Sequence, residues 1–255
     1  MNGLTAIVLA GSRPGRDAFA EQYGADLKAL IPVAGQAMVR RPVAALLASD
    51  RIGQVVVLAQ QPERIGAALP ADPRLSVERS GETIAVTLDQ LCNEYATSWP
   101  LLVTTADHAL LNAAMIEDFC AKASGSDIAI ALVERSALMR RLPGTKRTWI
   151  SFKGGAYSGA NLFLLASPKV VPAIALWRGV EQDRKKGRRL LSALGPVVLL
   201  GAVLRLLTLD QVLARVGAKL GLRIKAVEMA DPLAAVDVDK PADHSLVEAI
   251  IAGRA

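Results

Sequence analysis

The chain alternates short apolar runs with longer segments in which apolar residues recur at helical spacing. The strand-like runs are residues 6–9, 55–59, 101–105, 128–133 and 162–165. The helical patterns lie at about 38–49, 82–95 and 113–123. Strands that alternate with helices are typical of a mostly parallel sheet with helices on both of its faces. We therefore predict an α/β fold, with Asn112 as the N-cap of the third helix.

Composition limits the fold and the compartment. The chain has 255 residues, of which 52% are hydrophobic, so it can form one large core, and residues 1–255 are predicted to be a single domain. Cys92 and Cys120 lack the spacing of metal ligands, so we expect neither a disulfide framework nor a zinc site. No charged leader followed by an apolar stretch precedes the first strand, and we expect a cytoplasmic protein.

Residues 4–17, LTAIVLAGSRPGRD, lead from the first predicted strand into a turn rich in small and basic residues. Small residues let backbone N–H groups approach an anion closely, and Gly11 adds conformational freedom. Arg13 and Arg16 can donate charge-assisted hydrogen bonds to phosphate oxygens. The segment matches neither the Walker loop nor the dinucleotide fingerprint. It indicates nucleotide binding, and an ordinary strand-to-helix turn with solvated arginines is the alternative interpretation.

Two carboxylates and one lysine are candidates for phosphate chemistry. Asp107 follows the strand-like run 101–105, at the edge where open α/β sheets bind ligands, and a carboxylate there can hold Mg²⁺ against nucleotide phosphates. Asp239 follows another strand-like segment; an N-cap is the alternative role for Asp239, and a turn or cap for Asp107. Lys28 precedes an apolar segment that could fold back toward the first turn. Neither His108 nor His244 lies in the sequence context of a catalytic Ser or Cys nucleophile, and both are interpreted as non-catalytic.

Two further segments stand out. Residues 154–161, GGAYSGAN, are predicted to form a flexible loop that could shape a substrate pocket, and a simple β-turn is the alternative. Residues 167–225 depart from the strand–helix alternation and are predicted to be a helical insertion. Within it, six basic and two acidic residues between positions 178 and 189 precede fifteen uncharged residues, 190–204, which are too few to span a bilayer. This apolar stretch could be a core helix, a dimer interface or a membrane-surface element.

Four motifs, in the order of the chain, resemble those of the MobA-like nucleotidyltransferases, the NTP transferases of the sugar-phosphate and molybdenum-cofactor type. LAGSRPGR parallels the family's L-A-G-G-x-G-x-R loop, with Ser12 and Pro14 in place of glycines. KALIPVAG, which begins at Lys28, parallels P-K-x-L-x-x-x-x-G. TAD at 105–107 parallels the metal aspartate, and DVDKPAD at 237–243 parallels D-I-D-T-P-E-D. The matches extend over most of the chain and leave residues 167–225 unmatched.

The resemblance implies a Rossmann-like, mostly parallel mixed sheet flanked by helices, of the nucleotide-diphospho-sugar transferase (GT-A-like) type. It implies transfer of a nucleoside monophosphate from an NTP to a phosphomonoester, with release of pyrophosphate and with Mg²⁺ as the cofactor. Arg16, Lys28 and Asp107 would be catalytic, and Asp107 and Asp239 would hold the metal ion. The nucleotide would contact Leu9, Ala10, Gly11, Ser12, Arg13, Arg16, Lys28, Ser80, Gly81, Thr83 and Asp107.

The expected partners are CTP or GTP and a small phosphorylated acceptor, for which a lipid head-group precursor is one option. The acceptor would contact Tyr157, Ser158, Asn161, Arg184 and Arg188. Aromatic residues make up 4% of the chain and none lies in the basic segment, so we expect no nucleic-acid partner. A homodimer and peripheral attachment to the inner face of the membrane remain open.

Two other function classes remain open at this stage. A GT-A-type glycosyltransferase that uses a nucleotide-sugar would prefer an Asp-x-Asp motif, and this chain has Thr105-Ala106-Asp107 instead. A non-catalytic nucleotide-binding or membrane-scaffold protein is compatible with the Ser12 and Pro14 replacements.

Overall fold

The computed structural model describes residues 3–11, 15–81, 99–174 and 206–254. In chain order its strands are β1 (Leu4–Leu9), β2 (Pro32–Val33), β3 (Gln36–Ala37), β4 (Ile52–Ala59), β5 (Leu75–Arg79), β6 (Leu101–Thr105), β7 (Ile128–Glu134), β8 (Ile150–Phe152), β9 (Gly155–Leu165) and β10 (Ile224–Glu228). Its α-helices are α1 (Ala18–Gln22), α2 (Arg40–Leu47), α3 (Pro62–Ala67), α4 (Ala113–Ala123), α5 (Arg135–Arg141), α6 (Leu209–Leu220) and α7 (Pro241–Ile251). Short 3₁₀ helices lie at Lys28–Leu30, Pro168–Val170 and Pro232–Ala235.

The central sheet is mostly parallel, with one reversed strand. Its order is β10-β7-β9-β6-β1-β4-β5, and β8 pairs with the first part of β9. Strand β9 runs antiparallel to both β6 and β7, whereas the other neighbouring pairs along this order are parallel. The predicted Rossmann-like mixed sheet is confirmed, and each of the five predicted runs lies within a strand.

Both faces of the sheet are buried. Successive side chains of a strand point to opposite faces, so neighbouring residues of one strand lie in different buried clusters. Ala6 and Val8 of β1 belong to one buried cluster, which Phe119 of α4 joins from the helical layer. Ile7, between them, belongs to a second cluster on the other side, with Val56 of β4. Uninterrupted apolar runs therefore build these central strands.

Side-chain caps set the starts of two helices, and the cap at Asn112 was predicted. The Asn112 side chain accepts a hydrogen bond from Met115 N at 2.9 Å and caps α4. Thr208 and Gln211 form a capping box at the start of α6, in which each side chain accepts from the other residue's backbone N–H. The helix predicted at about 82–95 lies outside the described residues.

One prediction about secondary structure is wrong. Most of residues 154–161 belongs to strand β9 and is neither a flexible loop nor an isolated β-turn. Gly154, with φ +94°, makes the turn from β8. Pairing with β7 then provides hydrogen-bond partners for the backbone of this segment. The predicted helical insertion at 167–225 stays a prediction, and β10, which pairs in parallel with β7, begins at its end, at Ile224.

The centre of that segment lies outside the described residues, including Arg184, Arg188, the basic run and residues 190–204. In the part of the chain that the structure describes, no helix has the length and apolarity required to cross a membrane.

Candidate active site

The carboxyl ends of β1, β4, β5 and β6 meet at one edge of the sheet, because these strands are parallel. Leu9 pairs with Leu58 on one side and with Thr105 on the other. Beyond the strands, Ala10 N donates to Leu58 O at 2.9 Å and Ala106 N donates to Leu9 O at 2.9 Å. The turn after β1 therefore lies next to the turn that carries Asp107.

The same edge brings together several predicted nucleotide-binding residues. A Cβ added at Gly11 would lie 3.2 Å from the Gln60 side chain, so the backbone there passes closer to its neighbour than most side chains would allow. Ser80 N donates to Ala59 O at 2.9 Å, which places Ser80 and Gly81 at the end of β5. Ser12, Arg13 and Thr83 lie outside the described residues.

Lys28 begins a 3₁₀ helix that packing holds in place. Its neighbours Leu27 and Ala29 are buried. The hairpin that follows is attached to α7, since His244 Nε2 lies 2.7 Å from Pro32 O and Ala34 N donates to a Glu248 carboxylate oxygen at 2.6 Å. This apolar and hydrogen-bonded setting leaves the lysine side chain directed toward the sheet edge.

The Lys28 ammonium group lies between two carboxylates from distant parts of the chain. Its Nζ is 2.6 Å from Asp107 Oδ2 and 2.6 Å from Asp239 Oδ1. Since both distances are 2.6 Å, the two oxygens are at most 5.2 Å apart, twice that distance. Burial lowers the pKa of Lys28, but the two carboxylates outweigh it, so the pKa lies above its ordinary value and the side chain is charged.

Asp107 and Asp239 differ in how firmly their surroundings hold them. The turn of Asp107 is held on both sides, because Thr105 Oγ1 donates to its Oδ1 at 2.5 Å and Val238 N donates to its carbonyl oxygen at 3.1 Å. The Asp239 side chain is 62% exposed, whereas that of Asp107 is 18% exposed. The N-cap of α7 is Lys240, so the capping alternative for Asp239 is wrong.

A second layer behind Asp239 consists of residues to which the sequence prediction gave no role. Arg147 contacts the Asp237 carboxylate, and its Nη2 lies 3.7 Å from Asp243 Oδ1. Burial raises the pKa of Asp237; Arg147 opposes this, and the charges of Asp239 and Asp107 add to it, so the pKa lies above its ordinary value. Asp237 and Asp243 could have been suspected from the DVDKPAD motif, but Arg147 lies in a polar stretch without any periodic pattern.

Only part of the predicted acceptor set joins this cluster. Asn161, with φ +45°, donates from Nδ2 to Asp237 Oδ2 at 3.1 Å. Tyr157 packs against Phe152, and Ser158 is buried on β9 opposite Val133. Among the described residues, hydrogen bonds connect Asn161, but not Tyr157 or Ser158, to the carboxylates.

Arg16 lies apart from the cluster in this structure. Its side chain is 88% exposed and pairs with Glu21 Oε1 at 2.6 Å. Gly15, directly before it, has φ +101°, which glycine adopts without strain.

Both histidines are packed inside the protein, and their interpretation as non-catalytic stays a prediction. His108 is fully buried, burial lowers its pKa to about 4, and its Nδ1 lies 3.3 Å from Thr104 Oγ1. His244 is also buried, and its ring lies 4.1 Å from that of Tyr23 between centroids.

The donor set at this edge fits a magnesium ion. Mg²⁺ prefers hard oxygen ligands and usually takes one or two protein carboxylates, with water and phosphate completing its octahedron. Asp107 and Asp239 direct one oxygen each at a single cationic atom, Lys28 Nζ. Within the described residues no group of three or more His, Cys, Asp or Glu side chains could hold a metal ion.

The chain has the fold of the nucleotidyltransferases. The sequence profile of the MobA-like NTP transferase domain matches residues 6–197. The chain therefore belongs to the MobA-like NTP transferase family, as its motifs predicted. Nucleotidyltransferases of this family generally depend on a divalent metal ion.

Solved structures agree with this assignment. A hypothetical transferase from Thermus thermophilus is 31% identical, with a TM-score of 0.79 over 95% of this chain and 99% of that one. A 4-diphosphocytidyl-2C-methyl-D-erythritol synthase from Anaerococcus prevotii shares the fold at 8% identity, with a TM-score of 0.62 over 98% of this chain and 96% of its own. A CMP:2-keto-3-deoxy-manno-octonic acid synthetase complexed with CTP shares it at 15% identity, with a TM-score of 0.60 over 99% of this chain and 100% of its own. No curated protein gives a significant match.

Proposed function

We propose that this nucleotidyltransferase uses Mg²⁺ to transfer a nucleoside monophosphate from CTP or GTP to a small phosphomonoester, with release of pyrophosphate. The observation that carries the proposal is the convergence of Lys28, Asp107 and Asp239 beside the turn that follows β1. Lys28 and Asp239 are 211 positions apart in the chain. A catalytic role explains why one lysine and two carboxylates from distant segments meet at the edge where open α/β sheets bind ligands.

The reaction requires positioning and charge neutralisation more than proton transfer. An oxygen of the acceptor phosphate attacks the α-phosphorus, a new oxygen–phosphorus bond forms, and the bond from the α-phosphorus to the bridging oxygen of the β-phosphate breaks. Pyrophosphate leaves with the electron pair of that bond. The acceptor phosphate is already ionised, so no general base is needed, and His108 is free to remain buried and neutral.

Each residue of the edge has a role in this scheme. Backbone N–H groups of Gly11 and Ser12 would bind the triphosphate, and Lys28 would stabilise the charge that develops at the α-phosphate. Arg16, on the same turn, would exchange its exposed pairing with Glu21 for the pyrophosphate leaving group. Asp107 and Asp239 would hold Mg²⁺, and the bound ion would neutralise negative charge on the phosphates.

The nucleobase would lie along Ser80 and Gly81 at the end of β5. Ser80 Oγ is buried and has no hydrogen-bond partner among the described residues, so its hydrogen-bonding capacity is unused in this structure. The synthetase complexed with CTP, which has the same fold, supports a cytidine nucleotide as the first candidate. We place the acceptor on the side of Asn161, where β9 reaches the carboxylate cluster.

Pyrophosphate release tests the proposal directly. The protein is mixed with Mg²⁺, each of the four NTPs and a panel of phosphomonoesters, while thermal stabilisation by each NTP reports binding separately, because a ligand that binds only the native state stabilises it by mass action. Asp107→Asn should abolish turnover and keep the fold. Asp50→Asn is the matched control, since Asp50 is exposed in the turn before β4, at the opposite end of the strand. A folded Asp107→Asn variant with normal turnover would refute the assignment.

A further inference from the structure

Arg147 is a buried cation in the loop between α5 and β8. Its side chain is 8% exposed, and it lies against two acidic residues that flank Asp239 in the chain. The guanidinium contacts the Asp237 carboxylate through Nη1, and Nη2 donates to the Asp237 carbonyl oxygen at 3.2 Å. Nη2 also lies 3.7 Å from Asp243 Oδ1. One planar group therefore reaches both sides of the Asp239 position.

These contacts continue to the backbone of Asp239 itself. Asp243 Oδ2 accepts a hydrogen bond from Asp239 N at 3.3 Å, and Val238 N donates to Asp107 O at 3.1 Å. The chain on either side of Asp239 is thus attached to Arg147 and to the turn of Asp107. The Asp239 side chain, being 62% exposed, has little packing of its own to fix its direction.

We propose that Arg147 is a positioning residue, which holds the segment 237–243 so that the Asp239 carboxylate faces Asp107 and the two can share one divalent ion. The proposal rests on the proposed function insofar as Asp107 and Asp239 are the metal ligands. An arginine suits this task because its rigid fork donates in several fixed directions, which a lysine cannot reproduce.

Mn²⁺ binding, measured by electron paramagnetic resonance on the nucleotide-free protein, tests the proposal without requiring turnover. Arg147→Met should weaken Mn²⁺ binding by about 10–100-fold, the usual effect of removing a group that orients a metal ligand. The Mn²⁺ affinity of Arg147→Lys should lie between that of Arg147→Met and that of the wild type. Arg140→Met is the matched control, because Arg140 is exposed on α5 and bonded to Ser136. This control should bind Mn²⁺ as the wild type does.

A double-mutant cycle separates positioning from a general structural role. If Arg147 acts through Asp239, then Arg147→Met should have little further effect on Mn²⁺ binding in an Asp239→Ala background, whereas independent effects would add. In pyrophosphate-release assays, Arg147→Lys should require more Mg²⁺ for half-maximal rate while the NTP KM at saturating Mg²⁺ stays near the wild-type value.

Removal of Arg147 leaves Asp237 without its cation and could prevent folding, so two variants guard against that outcome. Arg147→Lys keeps the charge, and Arg147→Met combined with Asp237→Asn removes both charges of the pair. Wild-type Mn²⁺ affinity in these variants, or additivity with Asp239→Ala, would overturn the proposal, as would a wild-type protein that binds no Mn²⁺. Mn²⁺ binding without pyrophosphate release from any NTP would instead refute the proposed reaction alone.

Discussion

Replacement of Lys28 by methionine should change metal binding and turnover in opposite directions. The Lys28 ammonium group is within 2.6 Å of the two carboxylates that we assign to the metal ion. A divalent ion that binds both oxygens must therefore displace this cation. During the reaction, however, the same charge would stabilise the α-phosphate.

The magnitude follows from the two ion pairs. The pair with Asp107 is largely buried, with 24% and 18% of the side chains exposed, and a hydrogen bond between charged groups in such a setting contributes about 1.5–3 kcal/mol. The pair with Asp239 is more exposed and adds about 0.5 kcal/mol. Together the two pairs contribute about 2–3.5 kcal/mol, so removal of the competing ammonium group corresponds to roughly 30–300-fold tighter metal binding at 1.4 kcal/mol per factor of ten.

Without Lys28 the carboxylates also repel each other. At a separation of about 5 Å and an effective dielectric constant of about 20, the repulsion is about 3 kcal/mol, and solvent around Asp239 reduces it further. Lys28→Met should therefore melt at a lower temperature than the wild type without metal and recover when Mg²⁺ is added. Its kcat/KM should fall by about 10²–10³-fold, the usual cost of removing one donor to the transition state.

Three measurements on Lys28→Met and the charge-preserving Lys28→Arg check this reasoning: Mn²⁺ titration by electron paramagnetic resonance, thermal unfolding with and without Mg²⁺, and pyrophosphate release. Weaker Mn²⁺ binding in the methionine variant would refute the competition argument. Wild-type kcat/KM in that variant would refute the role at the α-phosphate.

Three further variants probe the turn after β1, a helix cap and acid stability. Arg16→Ala should lower kcat/KM by about 10²–10³-fold at unchanged melting temperature, because its side chain is 88% exposed; wild-type kinetics would exclude it from the triphosphate site. Asn112→Ala should cost about 1 kcal/mol of unfolding free energy in urea titrations, and no loss would mean that other groups cap α4. Asp127 accepts from Arg223 N, which lowers its pKa, and Lys169 acts in the same direction. Since the native pKa lies below the unfolded value of about 3.9, its stabilisation should be present at neutral pH and lost as pH falls through the native pKa; Asp127→Asn should then show a shallower loss of melting temperature in acid.

The sheet was predictable because local sequence carries its signal. Residues 101–105 are apolar or β-branched and form β6, and the segment 113–123, with Asn112 before it, forms α4 with the expected cap. Strand β9 was missed at its start, since glycines and polar residues at 154–161 resemble a loop. That segment is a strand only because it pairs in the antiparallel direction with β7 and β8. Strand β10 was missed for the same reason: five residues carry too little periodicity, and its partner β7 is about a hundred residues away.

Local sequence features are sufficient to identify the family, the α/β class and the candidate residues Lys28, Asp107 and Asp239, because strand ends and short motifs involve only neighbouring residues. Tertiary structure alone decided that these three side chains meet within 2.6 Å, while Arg16 pairs with Glu21 instead. It also decided that Arg147 lies behind Asp239. A buried arginine between two loops has no signature in its own neighbours, since the carboxylates that justify its burial come from the other end of the chain and arrive only when the sheet assembles.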